Sequence, residues 1–340
     1  MKFLSRDSLF VWLLNLKADY KVFAPYKNGT NRYFKQLTSS VDPIVIGEAR
    51  TTEPLKTFFT QAREKVAEVF NSEVPDEKGK PFAIVGVKAC DLKGFLVQDQ
   101  VFLQNGSKDP IYARAREDNL IISADCTLAL ETCFCLSLAH NPYPESHFDI
   151  NLSEVEGGYI VDVGSPKGQK ILDADRSLFQ EAPPWAIKEK EARREKIVRE
   201  VQGKIEEHDV PHQDQFPGMI ERNYESPIWK EESKNCVECG SCNTICPTCH
   251  CFLLTDQKTE QLNRIRQWDS CMLRGFARVA GGGNPRSGLW MRLRNRFEKK
   301  FDFFPKVADI NACTGCGRCI SGCPANIDIR RILKRLVLNE

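Results

Sequence analysis

The chain has 340 residues, 48 basic and 46 acidic, for a formal net charge of +2. So even a balance speaks against a nucleic-acid binder or a polybasic membrane anchor, and the length suits two domains or slightly more at about 150 residues each. Hydrophobic residues make up 41%, enough for ordinary packed cores, and the abnormal figure is the fifteen cysteines.

In chain order, Met1 to Leu16 couples Lys2 and Arg6 to the apolar run Leu9–Leu14. The run is short, Asn15, Lys17 and Asp19 follow it, and no small-x-small cleavage site appears, so it reads as an amphipathic first helix rather than an export signal. No segment approaches the ~18 apolar residues that span a bilayer, and a soluble, cytoplasmic protein is expected. Residues 1–175 read as an α/β domain with a mixed sheet. Strands are expected at Pro43–Gly47, Phe82–Val87, Asn119–Ser123 and Tyr159–Val163, which are short β-branched runs flanked by glycine or turn residues. Between them Leu55, Phe58, Phe59, Ala62, Val66 and Phe70 recur at helical steps, predicting a helix over Thr51–Asn71. Strands alternating with helices imply a partly parallel sheet.

Residues 176–232 read as a charged helical linker. Pro183-Pro184 breaks the chain, a helix follows from about Trp185 to Ile205 with the stripe Ile197, Val198, Val201, Ile205, and His208–Pro227 is rich in turn residues. In residues 233–340, helices are expected over Leu262–Val279 and Arg286–Phe301. A last helix carries Ile329, Ile332, Leu333 and Leu336 on one face. A mostly α-helical two-cluster ferredoxin domain is therefore expected, rather than the small β-containing ferredoxin fold.

That domain contains the strongest signal. Cys236, Cys239, Cys242 and Cys246-Pro247 follow the spacing C-x2-C-x2-C-x3-C-P, and Cys313, Cys316, Cys319 and Cys323-Pro324 repeat it. This is the spacing that binds [4Fe–4S] clusters in bacterial ferredoxins. Two-residue gaps let three thiolates wrap one cluster from a tight loop, and the small residues Gly240, Ser241, Gly315 and Gly317 let backbone N–H groups approach its sulfides. In two-cluster ferredoxins the fourth cysteine ligates the other cluster. Cys236, Cys239, Cys242 and Cys323 are thus assigned to one cluster, and Cys313, Cys316, Cys319 and Cys246 to the other.

Seven cysteines remain. Cys90 and Cys126 each follow a predicted strand, with Cys133 and Cys135 shortly after. Ligands collect at the C-terminal ends of strands in open α/β sheets, so these four are a candidate third cluster; free cysteines also serve as small buried hydrophobes. Cys249, Cys251 and Cys271 with His250 offer either a metal site or packing beside the first cluster. The basic run Arg286, Arg292, Arg294, Arg296, Lys299 and Lys300 reads as a solvated face, or as compensation for negative clusters or docking for an acidic partner. Gly281-Gly-Gly283 has neither a preceding strand nor a following Gly-Lys-Ser/Thr, and no nicotinamide, flavin or nucleophile motif is present. No catalytic residue is assigned.

The segments Gly86–Asp91, Asp99–Phe102, Thr132–Cys135, Cys246–Cys251 and Trp268–Cys271, in that order, resemble the iron–sulfur electron-transfer subunits of anaerobic sulfite reductase and of cytoplasmic sulfhydrogenase, where it is the beta subunit. The resemblance implies an electron-transfer subunit that works between a flavin/NAD(P)H subunit and a catalytic redox subunit, with no substrate chemistry of its own. Two further readings stand beside it: a redox enzyme with its own site in the N-terminal cysteine-rich domain, and a redox sensor, which lacks any recognisable output domain.

Overall fold

The computed structural model describes residues 1–38, 44–68, 79–104, 106, 108–258 and 261–339. The N-terminal half is built around two unbroken apolar runs, β5 (Phe82–Val87) and β6 (Leu120–Ala124), both buried. Such runs suit a strand covered on both faces. Among the described residues they sit inside an eight-stranded sheet of order β3-β2-β5-β6-β7-β8-β1-β9. The other strands are β1 (Lys2–Ser5), β2 (Lys21–Asn28), β3 (Asn31–Gln36), β7 (Ile150–Val155), β8 (Gly158–Val163) and β9 (Phe179–Glu181). Pairings β2–β5, β5–β6 and β6–β7 are parallel and the rest antiparallel, which makes the expected mixed sheet.

Helix α1 (Arg6–Leu16) puts Leu9, Trp12, Leu13 and Leu16 onto one face of this sheet. Helix α2 (Ala89–Asp99) covers the other with Leu92 and Phe95, beside Tyr112 of α3 (Pro110–Asp118). Helix α4 (Pro166–Ala174) follows the β7–β8 hairpin, and α5 (Pro184–Glu207) is the predicted charged helix. Its stripe is buried at Ile197, Val201 and Ile205. Val201 and Ile205 share a core with Phe134 and Cys135 of the N-terminal half and with Trp229, Phe297, Ile332 and Leu336 of the C-terminal half. The connector is thus a central packing element.

Several expectations need correction. Within the expected first helix, Lys2–Ser5 instead form β1, which pairs with β8 and β9. At 43–47 there is an isolated bridge between Ile44 and Tyr26 instead of a strand, and Pro43 lies outside the described residues. The helix expected over Thr51–Asn71 is a single turn, Leu55–Phe58, followed by strand β4 (Arg63–Glu68); residues 69–71 lie outside the described residues. Leu55 and Phe59 are buried as the pattern required, but Glu64, Lys65 and Ala67 are drawn into a strand by pairing with β11 (Leu262–Trp268) about two hundred residues away. An almost fully buried ion pair, Glu64–Arg266 at 2.9 Å, secures that edge. Non-local pairing of this kind overrides a local preference.

The same sheet corrects the C-terminal half. The helix expected over Leu262–Val279 is β11 followed by turns, and β11 forms an antiparallel hairpin with β10 (Phe252–Lys258), giving the order β10-β11-β4. The ferredoxin-type part therefore contains β structure inside its insert and is not mostly helical. The other insert helix is present as Leu289–Glu298, and the chain ends in the expected amphipathic helix, Ile329–Leu338.

Asp91 and Arg318 join the two halves through a 2.8 Å ion pair whose side chains are only 2% and 1% exposed. Arg318 Nε also donates to the Thr51 carbonyl at 3.0 Å. Removing one partner of such a pair strands a buried charge, which costs roughly 3–5 kcal/mol, whereas replacing both by apolar groups is often neutral. Arg318→Met should lower the unfolding free energy by about that amount, and Asp91→Leu/Arg318→Met should recover most of it, read from urea midpoints. Equal losses in the single and double variants would show that the pair does not join the halves.

Candidate metal centre

Both cysteine motifs fold as the same local device. A glycine in the left-handed region, Gly240 (φ +71°) in one and Gly317 (φ +68°) in the other, precedes a single helical turn, Ser241–Thr244 and Arg318–Ser321, whose second residue is the third cysteine. Cys236, Cys239, Cys242 and Cys323 line one cavity, with Cys319 at its wall and Leu293, Phe297, Ile329 and Ile332 behind. Cys239 is exposed and Cys236, Cys242 and Cys323 are half-buried. Cys323 lies in the electrostatic surroundings of Cys236, and Cys246 in those of Cys313 and Cys319. The structure thus brings each fourth cysteine to the other motif.

The chemistry of the donors fits a metal. Burial pushes the Cys242 and Cys313 thiols up to about 12, so without a cation they hold their protons. Among the described residues no three cysteine sulfurs lie within 4.8 Å of one another. A tetrahedral zinc site with bonds of about 2.3 Å needs sulfurs about 3.8 Å apart. The quartets are too open for a single zinc ion and suit a larger multi-iron body.

Buried cations surround them. Lys300 Nζ lies 3.4 Å from Cys246 Sγ and donates to Thr248 Oγ1 at 2.9 Å and the Ala312 carbonyl at 2.8 Å. Thr248 Oγ1 also sits 3.1 Å from Cys246 Sγ. With a hydrogen bond from Cys249 first and Lys300 beside it, Cys246 is held well below the ordinary thiol range and Cys249 keeps the proton. Arg296 donates to Asn243 Oδ1 at 2.9 Å and the Cys242 carbonyl at 3.3 Å. Of the basic run, Arg292, Arg294, Arg296 and Lys300 are buried. A solvated face is therefore excluded for these four. Arg292 is held by the Met272, Arg286 and Ser287 carbonyls, and Arg294 stacks on Tyr224.

The N-terminal cysteines also meet. Cys90 opens α2 after β5, Cys126 follows β6, and both line one cavity with Cys133, Cys135, Arg50, Gly315 and Cys316. Burial pushes Cys126 up to about 11 and raises Cys90 and Cys135 further. Lys88 is fully buried beside them, donating to the Ile46 carbonyl at 2.7 Å and the Asp125 carbonyl at 3.1 Å. The second motif rests directly on this loop: Phe134 N donates to the Gly315 carbonyl at 2.8 Å, and Arg50 reaches the Cys316 carbonyl and Ser321 Oγ. A Cβ on Gly317 would fall 2.1 Å from the Thr132 carbonyl. Glycine there serves this contact as well as the approach of N–H groups to a cluster.

Cys249, His250, Cys251 and Cys271 line a separate cavity of about 330 Å³. His250 Nδ1 is 3.1 Å from the Thr248 carbonyl, and burial lowers its pKa to about 4. Sequence reasoning missed Arg50, Lys88, Asn243 and Lys56, whose Nζ donates to the Asn243 carbonyl at 3.3 Å and the Cys249 carbonyl at 2.8 Å. No motif marks them; the one local hint is Lys88, two residues before Cys90.

Residues 235–327 match the family model of the 4Fe-4S dicluster domain. The chain is 31% identical over 321 residues to sulfhydrogenase 2 subunit beta of Pyrococcus furiosus, covering 94% of this chain and 92% of that protein. Among the described residues no helix is long and apolar enough to cross a membrane. With two matched cysteine quartets in a dicluster domain and likeness along nearly the whole chain, this protein belongs to the iron–sulfur family of the sulfhydrogenase beta subunit.

Proposed function

We propose that the chain is the iron–sulfur electron-transfer subunit of a hydrogenase-type complex, seated between a flavin/NAD(P)H subunit or ferredoxin and a catalytic subunit. When bound, two [4Fe–4S] clusters supply one-electron redox chemistry at potentials set by their surroundings. Cys236, Cys239, Cys242 and Cys323 hold one, and Cys313, Cys316, Cys319 and Cys246 the other. Cys90, Cys126, Cys133 and Cys135 hold a third.

The observation that carries this reading is the row of thiol sites. The N-terminal quartet shares its cavity with Cys316 of the second motif. Cys319 of that motif lines the cavity of the first. The row ends at exposed Cys239, beside Val237 at 64% exposure. Arg296 and Lys300 hold positive charge against the central thiolates, and Leu293, Phe297, Ile329 and Ile332 back the inner side of the first quartet. A row that runs from an interior site to the surface suits transfer between partners. The domain limits 1–175, 176–232 and 233–340 fit the same reading as an N-terminal platform, a packed connector and a cluster domain.

Iron and acid-labile sulfide analysis of protein purified anaerobically tests the count, with about twelve irons per chain expected and about eight rejecting the third site. Co-purification of flavin-containing and catalytic subunits is expected, and an isolated active monomer would overturn the subunit reading.

A further inference from the structure

One long loop is fastened to the exposed end of the first motif. Gly240, next to Cys239, closes against the start of that loop: a Cβ placed on it would lie 3.3 Å from Ser270 Cβ and 3.6 Å from Leu273 Cδ2. Met272 lines the cavity of the first quartet. Buried Arg292 ties loop and motif together with one guanidinium. Its Nε donates to the Met272 carbonyl at 3.0 Å and its Nη1 to the Arg286 and Ser287 carbonyls at 3.0 and 2.7 Å, while its Nη2 pairs with Glu238 at 2.8 Å. The chain between, 273–285, is thus held by both ends beside the motif. Its tip is closed by Val279 N on the Gly283 carbonyl at 2.9 Å, and Gly281 and Gly282 there have positive φ and no side chain to hold a partner off. Leu273, Arg274, Arg278 and Val279 are exposed. No carboxylate occurs between Asp269 and Glu298. Arg274, Arg278 and exposed Lys234, just before the motif, make no ion pair among the described residues, whereas Glu238 is neutralised by Arg292.

We propose that this loop and the Cys239 end of the first motif form the docking face for a diffusing one-electron carrier protein with an acidic surface. The proposal rests on the electron-transfer reading above and names the partner of its exposed end. Cations without an ion pair around a redox site raise the local concentration of an anionic partner and speed its encounter. The apolar share of the face is small, Val237, Leu273 and Val279 set among cations. Permanent subunit interfaces are larger and more apolar, whereas electron-transfer encounters are small and short-lived, so this composition favours a carrier that arrives and leaves. On contact one electron passes from the carrier's centre to the cluster of Cys236, Cys239, Cys242 and Cys323. The carrier is oxidised and the cluster reduced by one electron, with no bond made or broken and no proton moved. The reverse transfer discharges the cluster.

The test mixes the anaerobically purified complex in a stopped-flow cell with flavodoxin hydroquinone, a small acidic FMN protein whose semiquinone reports each electron passed. The second-order rate should fall steeply between about 20 and 200 mM salt, over which the Debye length shrinks from ~20 Å to ~7 Å. Arg274→Glu/Arg278→Glu should cut the low-salt rate about tenfold or more and flatten its salt dependence, and Arg274→Gln/Arg278→Gln should fall between. Lys196→Glu, at an exposed position of α5, should match wild type. Photoreduced deazariboflavin, which is uncharged, should reduce the clusters of every variant at one rate. Equal flavodoxin rates in wild type and both arginine variants would overturn the proposal. So would protection of Arg274 and Arg278 from phenylglyoxal in the resting complex, since a permanent subunit would then cover the loop. Clusters missing from wild-type protein, or not reduced by deazariboflavin, would sink the electron-transfer reading itself and the proposal with it.

Discussion

Replacing Cys323 with alanine is expected to empty the site of Cys236, Cys239 and Cys242, and to leave the site of its own neighbours Cys313, Cys316 and Cys319 loaded. The expectation follows from the lining of the first cavity, where Cys323 stands with the first motif's three cysteines. The short helices that carry the two motifs pack against each other, and the Ile327 N–H points at Cys323 Sγ at 3.4 Å. Cys246 mirrors this behaviour, buried beside Lys300 and Thr248 among the thiols of the second motif. Iron per chain should fall by about four in Cys323→Ala. Double variants separate crossing from its absence, because residues acting as a unit are non-additive. Cys236→Ala/Cys323→Ala should lose no more iron than either single variant. Cys236→Ala/Cys246→Ala should lose about twice as much. If instead Cys236→Ala/Cys246→Ala matched its single variants, each motif would close on itself and the crossed assignment would be wrong.

How far the sequence reaches depends on the range of the interaction. The cysteine quartets were legible because ligand spacing is local: a two-residue gap and a proline are enough to predict a cluster loop. Strands β5, β6 and β8 were legible because an apolar run records its own burial. The segment Arg63–Glu68 was not, since Glu, Lys and Ala favour a helix and only the distant partner Arg266 makes it a strand. Leu262–Trp268 failed in the same way, reading as the start of a helix until it is paired with Phe252–Lys258. The four N-terminal cysteines were singled out from their places after strands, and they do converge. Their contact with Cys316 was illegible, because it depends on how the loop 132–135 docks on Gly315 and Gly317. The buried basic run shows the converse limit. Arg296 and Lys300 look like a wet helix face until the sulfur atoms they face are placed in space.

Those two cations lead to the second large expectation: Lys300→Met should make the cluster held by Cys246 harder to reduce. Lys300 is 4% exposed, with its amine 3.4 Å from Cys246 Sγ. Burial works against its charge, but the Cys246 thiolate outweighs it and holds the amine above its ordinary range. A positive charge there favours the more negative, reduced state, so removing it lowers the potential. At an effective dielectric of about 20 and a charge separation of about 7 Å the interaction is ~2 kcal/mol, or on the order of 100 mV for one electron. Methionine keeps the stem and fills the volume, but removes one donor each from Thr248 Oγ1 and from the Ala312 carbonyl, which keeps Thr248 Oγ1 at 2.7 Å, so some stability is lost as well. Lys306→Met serves as the control, since that side chain is 57% exposed and pairs with Glu221 and Asp302 at the surface. Redox titrations followed by electron paramagnetic resonance should show one midpoint moved down in Lys300→Met, a smaller change in Lys300→Arg, and none in Lys306→Met. An unmoved midpoint with iron content intact would mean that the amine serves Thr248 and Ala312 alone, and that charge compensation at the second motif falls to Arg296.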